Sequence, residues 1–386
     1  VTRRQVEVGA FVLGWFLALG FLARDAFTWS SRVSYTHLTS LLHRVGRQVA
    51  GLEADAARSV RGGDRAARIR DRFPSLRDLS SLRSPKAFLW GAYDGGFPES
   101  MEGFATLERE LGTFPLVSFY QAWGDLPEQQ FPEGFVAAVD RMGSVPVLTW
   151  EPWLSAFDPE LWPHLPPPDR RDVAGLAAIA RGDYDFHVVR WARAAAAWGK
   201  PLFLRFAHEM NDPYRYPWGP QNGNRAEDFL NAWRHVHHLF QKMGAANVLW
   251  VFSPHPSMPW FEYYYPGDEV VDWVGMGVLN YGNVASWARW WHFEDVVGRA
   301  YPVLASFGKP IMITELGTVL SGGDPERWYA RARAPLQEHY PQVKAAILFH
   351  QTHDDTLGGL VLNWSPLSCR GCVSTLRAWI EQAEER

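Results

Sequence analysis

The chain has 386 residues, 47% of them hydrophobic, and a formal net charge of −4 at neutral pH. That is enough apolar sequence for one large core. The Lys and Arg residues are scattered rather than clustered, which excludes the basic footprint of a nucleic-acid binder. The 20 tryptophans are about four times the usual share, and many lie beside Gly, Pro or charged residues rather than inside apolar runs. Aromatic faces stack on the apolar faces of sugar rings, so as a group they point to a carbohydrate cleft, although any single one could equally fill the core.

In chain order, Thr2, Arg3 and Arg4 precede a stretch of apolar residues and glycines, Val8 to Ala23, closed by Arg24 and Asp25. Such a stretch is short for a spanning helix and long for a signal-peptide core, and no small-x-small cleavage site follows it. The favoured reading is an uncleaved anchor with its basic flank on the cytoplasmic side, ahead of a cleaved signal or a buried helix. Residues 1–30 are thus expected to form a transmembrane anchor or signal segment, with the rest of the chain outside the cytoplasm, in the periplasm or at the cell surface.

From Leu38 to Val60 apolar residues recur at steps of three or four, the pattern of an amphipathic helix that could form a short coiled coil, lie on the membrane or pack on the next domain. Gly62, Gly63 and the charged run to Arg72 read as a linker. Residues 31–81 are therefore assigned to an amphipathic helical linker and 82–386 to the catalytic domain.

From Lys86 onward short β-rich runs alternate with helical stretches. The runs are Ala87 to Tyr93, Leu116 to Tyr120, Val145 to Trp150, Leu202 to Ala207, Val248 to Ser253, Trp273 to Leu279, Ile311 to Thr314 and Ala345 to Phe349. This order predicts an α/β protein, a (β/α)8 TIM barrel, rather than a doubly wound open sheet. Active sites of such barrels lie at the carboxyl ends of the strands, so the residues just after each run are the candidates.

The fourth run ends in Arg205-Phe-Ala-His-Glu-Met-Asn211 and the seventh in Lys309-Pro-Ile-Met-Ile-Thr-Glu-Leu-Gly317. Each apolar strand thus terminates in a glutamate, Glu209 or Glu315. Period-two alternation puts Ile311, Ile313 and Glu315 on one face, and Phe203, Arg205, Ala207 and Glu209 on one face. If both faces point inward, the carboxylates meet across the barrel mouth with Arg205 beneath them. Cutting a glycosidic bond needs such a pair: one carboxylic acid to protonate the leaving oxygen, and one carboxylate to attack the anomeric carbon or activate water. Strand-end glutamates could instead cap neighbouring helices.

These two runs, together with Tyr216-Pro-Trp-Gly219, Trp250-Val-Phe-Ser-Pro254, Tyr265-Pro-Gly-Asp268 and Val271-Asp-Trp-Val-Gly-Met276, resemble glycoside hydrolase family 26, whose best-known members are β-mannanases. The resemblance spans roughly Lys86 to Trp364. It implies a retaining mechanism with Glu209 as general acid/base and Glu315 as the nucleophile that forms a glycosyl-enzyme intermediate. It further implies that His208 replaces an asparagine of related barrel glycosidases, that Tyr281 hydrogen-bonds the nucleophile and that Trp218 is an aromatic wall of the sugar site. Arg205 and Asn211 of the same motif are expected at the substrate too. Two departures bear on substrate identity: Gly277 stands where similar sequences often carry an acidic residue, and His350-Gln-Thr-His-Asp-Asp355 replaces a tryptophan-bearing turn.

Trp150, Glu151 and Trp153 end the third run and are further candidates for sugar contacts, although Glu151, like Asp94, could equally serve as a cap. The group His350, His353, Asp354 and Asp355 has the composition of a metal site but lacks a spaced, helix-borne motif, and neither metal nor cofactor is expected. Cys369 and Cys372 could form a redox pair, half a zinc site or a local disulfide, and a structural disulfide made outside the cytoplasm is favoured. The expectation is a membrane-anchored, extracytoplasmic, endo-acting retaining hydrolase of a β-1,4-linked polysaccharide, mannan or mixed-linkage β-glucan. It would work beside polysaccharide synthesis or export machinery. A catalytically silent sugar-binding subunit of a secretion system and a transglycosylase are the alternatives. Two buried carboxylates are costly to retain without chemistry, which argues against the silent subunit.

Overall fold

The computed structural model describes residues 65–284, 289–355 and 360–383. The expected anchor and the helix at 38–60 lie outside these residues. Among the described residues, no helix is long and apolar enough to cross a membrane.

Eight parallel strands close into a barrel in sequence order: β1 (Leu89–Asp94), β2 (Leu116–Ala122), β3 (Val145–Glu151), β4 (Leu202–Phe206), β5 (Val248–Phe252), β6 (Trp273–Asn280), β7 (Ile311–Thr318) and β8 (Val343–His350), which pairs back onto β1. Helices of nine residues or more return the chain after every strand except β5, where the single turn Phe261–Tyr264 does so. The predicted (β/α)8 barrel is the fold observed.

Strand alternation sorts side chains into two layers. Trp90, Val117, Leu148, Leu204 and Trp250 face the helices, whereas Leu89, Leu116, Val147, Phe203, Leu249 and Met312 fill the barrel interior. Among the described residues, most of the tryptophans pack into these buried clusters or against them. Trp150 illustrates this: its ring packs 4.6 Å from that of Trp123, 4.8 Å from Trp191 and 5.8 Å from Phe240. On β3 the inward positions are Val147, Thr149 and Glu151, so Trp150 necessarily points to the helices. The expectation that its side chain touches sugar is corrected.

The amino-terminal end of the barrel is closed by residues that read as linker. Residues 65–72 are helical, and Ile69, Phe73, Leu76 and Leu82 pack into the interior cluster with Leu89, Leu116 and Val145. Trp273 Nε1 donates to the Leu82 carbonyl at 2.8 Å. Arg65, only 7% exposed, donates to Glu108, to Ser144 Oγ and to the Phe114 carbonyl. The barrel domain therefore reaches back at least to Arg65, and the boundary expected at 82 is too late. The charges of Arg68, Arg70, Asp71 and Arg72 mask the apolar face of this helix in the sequence. Cys369 and Cys372 are disulfide-bonded at the start of the last helix, Arg370–Ala383.

If residues 65–82 are the barrel's floor, Ile69→Ala should cost about 2–4 kcal/mol of unfolding free energy, the range for a buried aliphatic truncation. Urea unfolding checks this. A loss under about 0.5 kcal/mol, usual for an exposed position, would return the segment to linker status.

Candidate active site

Glu209 is not delivered by simple alternation. β4 ends at Phe206, after which Ala207 and Glu209 adopt φ of 45° and 53°. That left-handed backbone costs an L-residue about 1–2 kcal/mol. Neighbouring strands hold it in place: Ala207 N donates to the Trp150 carbonyl at 3.1 Å and Glu209 N to the Ser253 carbonyl at 2.7 Å. Strain stored beside a buried carboxylate is a mark of a functional site.

Alternation also fails on β7. Ile311 and Ile313 face the helices and Met312 faces the interior, the reverse of the predicted arrangement. The register then slips between Met276 and Gly277 against β6 and between Ile313 and Leu316 against β8. This irregularity re-aims Glu315 so that it reaches the barrel mouth. Arg205 Nη2 donates to Glu315 Oε1 at 2.6 Å, with both residues buried, and the Tyr120 hydroxyl adds a second hydrogen bond. Burial alone would raise the pKa of Glu315. The charge and hydrogen bond of Arg205, with the Tyr120 bond, instead hold it below its ordinary value.

Glu209 shifts the opposite way. Burial raises its pKa and Glu315 adds to the rise, against the pull of His255 and Arg215. Its Oε2 lies 3.6 Å from Arg215 Nη1. Both carboxylates approach Gly277: a Cβ placed there would lie 3.5 Å from Glu209 Oε1 and 3.8 Å from Glu315 Oε2. The two glutamates thus share one small volume, in which the surroundings favour the ionised form of Glu315 and the protonated form of Glu209.

His208 is buried beside them. Desolvation, with Arg205 and Arg215 nearby, pushes its pKa well below the ordinary value, so the imidazole is neutral. Its ring lies 4.5 Å from that of Tyr216 and its Nδ1 3.9 Å from Glu151 Oε1. Burial pushes Glu151 up to about 7 despite the 3.1 Å hydrogen bond from Trp153 Nε1. Glu151 and Trp153 are therefore brought to the mouth with His208, Arg205, Glu209 and Glu315. Tyr281 packs edge-on against Trp364 at 4.8 Å. Burial raises its pKa to about 12; Arg215 opposes the rise, and Glu209 and Glu315 add to it.

Two expected sugar contacts play other parts. Trp218 is 2% exposed, stacks on Tyr216 at 4.7 Å and donates its Nε1 to the His208 carbonyl at 2.7 Å. It supports the site from behind, and a buried indole offers no face to a sugar. The Asn211 amide is spent on the loop after β5: its Oδ1 accepts from His255 N at 2.7 Å, and its Nδ2 donates to the carbonyls of His255 and Met258 at 3.2 and 3.4 Å.

Asp94 faces outward, accepting from Gly96 N at 2.8 Å and lying 3.5 Å from His350 Nε2, while Asp354 accepts from Trp364 Nε1 at 2.7 Å. Neither belongs to a metal-like cluster. Among the described residues, Glu209, Asp212 and His255 place one polar atom each within 4.8 Å of one another, an arrangement that would engage Glu209 itself. Tyr120, Arg215 and His255 also reach the site, although no sequence motif marks them, and Tyr216 joins them from the Tyr216-Pro-Trp-Gly219 run. Tyr120 was accessible as an inward residue of β2, whereas the others sit on irregular loops.

The family model described as glycosyl hydrolase family 26 matches residues 184–309. Endoglucanase H of Acetivibrio thermocellus is 32% identical over 228 residues, which is 57% of this chain and 23% of that protein. The β-1,3-xylanase TXYA of a Vibrio species is 31% identical over 122 residues, 29% of this chain and 25% of that protein. The chain thus spans about a quarter of the length of these curated relatives. A GH26 β-mannanase structure from Bacteroides ovatus superposes with a TM-score of 0.56 at 17% identity, covering 81% of this chain and 94% of that one, a likeness of fold. The segment 184–309, which carries Glu209, is thus similar to glycosyl hydrolase family 26, and the barrel that brings it to Glu315 is the fold of that β-mannanase.

Proposed function

We propose that this chain is an endo-acting, retaining glycoside hydrolase of a β-1,4-linked polysaccharide, mannan or mixed-linkage β-glucan. The observation that carries the reading is the pair of buried glutamates with opposite electrostatics beside Gly277. In the first step Glu315 attacks the anomeric carbon, the bond to the leaving sugar breaks, and Glu209 gives its proton to the departing oxygen. In the second, ionised Glu209 takes a proton from water, whose oxygen displaces Glu315. Once Glu315 is esterified its negative charge is gone, which removes one of the causes that hold Glu209 protonated and suits it to act as a base. Glu151, whose side chain is partly exposed at the mouth, supplies polar atoms for the hydroxyls of the sugar. A mannan endo-1,4-β-mannosidase and an endoglucanase among the similar proteins support a β-1,4-linked mannan or a glucan as the substrate, and a β-1,3-xylanase among them makes β-1,3-xylan the necessary comparison.

The proposal extends to location. The apolar stretch Val8 to Ala23 with its basic flank, and a disulfide between Cys369 and Cys372, support a barrel tethered outside the cytoplasmic membrane beside polysaccharide synthesis or export machinery. Membrane fractionation with external protease tests it: the barrel is expected in the membrane fraction and protease-accessible. Recovery from the cytoplasm would overturn the reading.

Replacing Glu315 with Ala is expected to abolish turnover while polymer binding persists; full activity would remove Glu315 from the mechanism. Replacing Glu209 with Ala should lower kcat/KM on polymer by about 10²- to 10⁴-fold and far less on aryl glycosides whose leaving group needs no proton. Equal losses on both would contradict its role as the acid.

The pH profile follows from the signs. Activity should fall on the acid side as Glu315 takes up a proton, below the ordinary carboxylate value, and on the alkaline side as Glu209 ionises, above it. The two limbs belong to the coupled pair. kcat/KM against pH on the wild type and Glu209→Ala reads this: the alkaline limb should vanish in the variant, and its persistence would assign that limb to another group.

A further inference from the structure

We propose that Trp260 and Tyr263 form a sugar-stacking platform that holds the polymer on the leaving-group side of the cut, a site that rests on the glycosidase reading. The argument starts from one helical turn. Phe261 and Tyr264, three apart, are buried at 5% and 9% exposure, whereas Trp260 and Tyr263, also three apart, are 62% and 63% exposed. The same turn that anchors one pair in the core therefore projects the other outward. The two exposed rings lie 5.6 Å apart at 74°. They form an apolar patch, whereas the other tryptophans among the described residues are buried or partly buried.

The backbone sharpens the point. Trp260 has φ 75° and ψ 31°, a left-handed conformation that a glycine adopts freely and that is an outlier for a bulky residue. The strained position thus carries the largest of side chains and leaves most of it in water, a cost without return unless something covers the ring.

Its place in the fold says what covers it. The loop begins at the carboxyl end of β5, and the Asn211 amide, two residues past Glu209, fastens it through His255 and Met258. Polar atoms of His255 and Asp212 lie within 4.8 Å of one on Glu209. The acid must stand beside the glycosidic oxygen that it protonates, so a loop tied behind the acid borders the sugars that depart with that oxygen. A pyranose presents an axial C–H face to an aromatic ring, and stacking of this kind tolerates variation in the hydroxyls.

The test compares two substrates on wild type, Trp260→Ala, Trp260→Phe and Tyr263→Ala: a β-mannan or mixed-linkage β-glucan polymer, and an aryl glycoside that places no sugar on the leaving side. The ratio of kcat/KM on polymer to that on aryl glycoside should fall about tenfold in Trp260→Ala and less in Trp260→Phe. An unchanged ratio overturns the proposal, because a merely structural role would move both substrates together. If the wild type cleaves neither substrate, the glycosidase reading fails, and the platform is judged by retardation of Glu315→Ala in gels that contain these polymers. Added Trp260→Ala should abolish that retardation; equal mobility shifts, or no retardation of Glu315→Ala at all, would overturn the platform as well.

Discussion

The site depends on the buried contact between Arg205 and Glu315, 2.6 Å apart in the throat of the barrel. Removing both charges from water is expensive, and only close geometry with further hydrogen bonds offsets that cost. Here the offset comes from three strands: Arg205 stands on β4 above Phe203, Glu315 on β7 beyond the register shift, and Tyr120 on β2 hydrogen-bonds the same carboxylate. The closed barrel is what brings these strands around one volume. An open sheet would separate β2 from β7.

From that contact the difference between the two glutamates follows. Glu315 has a cation in direct contact, whereas Glu209 meets Arg215 at 3.6 Å through a side chain that is 36% exposed. Water screens the second cation more than the first. Desolvation therefore dominates at Glu209 and the ion pair dominates at Glu315, although both carboxylates are buried. Gly277 completes the arrangement by leaving no side chain between them. The divergence arises from burial and from the placement of Arg205.

Much of this was legible in the sequence. Eight β-rich runs in alternation with helices specify a barrel, and two apolar strands ending in glutamate specify where to look. Alternation placed Glu315 inward for the wrong reason, since the faces of Ile311, Ile313 and Met312 are inverted and the shift in register restores the glutamate. A bulge has no one-residue signature, so period-two reasoning cannot see it. The floor formed by Ile69, Phe73 and Leu76 was hidden by the charges that surround it. Tryptophan content misled by pooling residues that the fold separates: Trp150 and Trp218 pack inside, Trp153 reaches the mouth, and Trp260 stands in solvent.

Trp150 nevertheless takes part in the site, through its backbone. Its carbonyl accepts from Ala207 N, and the Ser253 carbonyl accepts from Glu209 N, so these two left-handed residues hang from β3 and from the residue that follows β5 rather than from their own strand. A left-handed alanine and glutamate persist only where such partners over-determine them. The dense packing of Trp150 against Trp123, Trp191 and Phe240 fixes that carbonyl as firmly as it fixes the ring. On the other side, Asn211 binds the loop that follows Ser253. Core packing in the helix layer and a polar clasp at the mouth thus converge on one backbone turn, and together they set the position of Glu209.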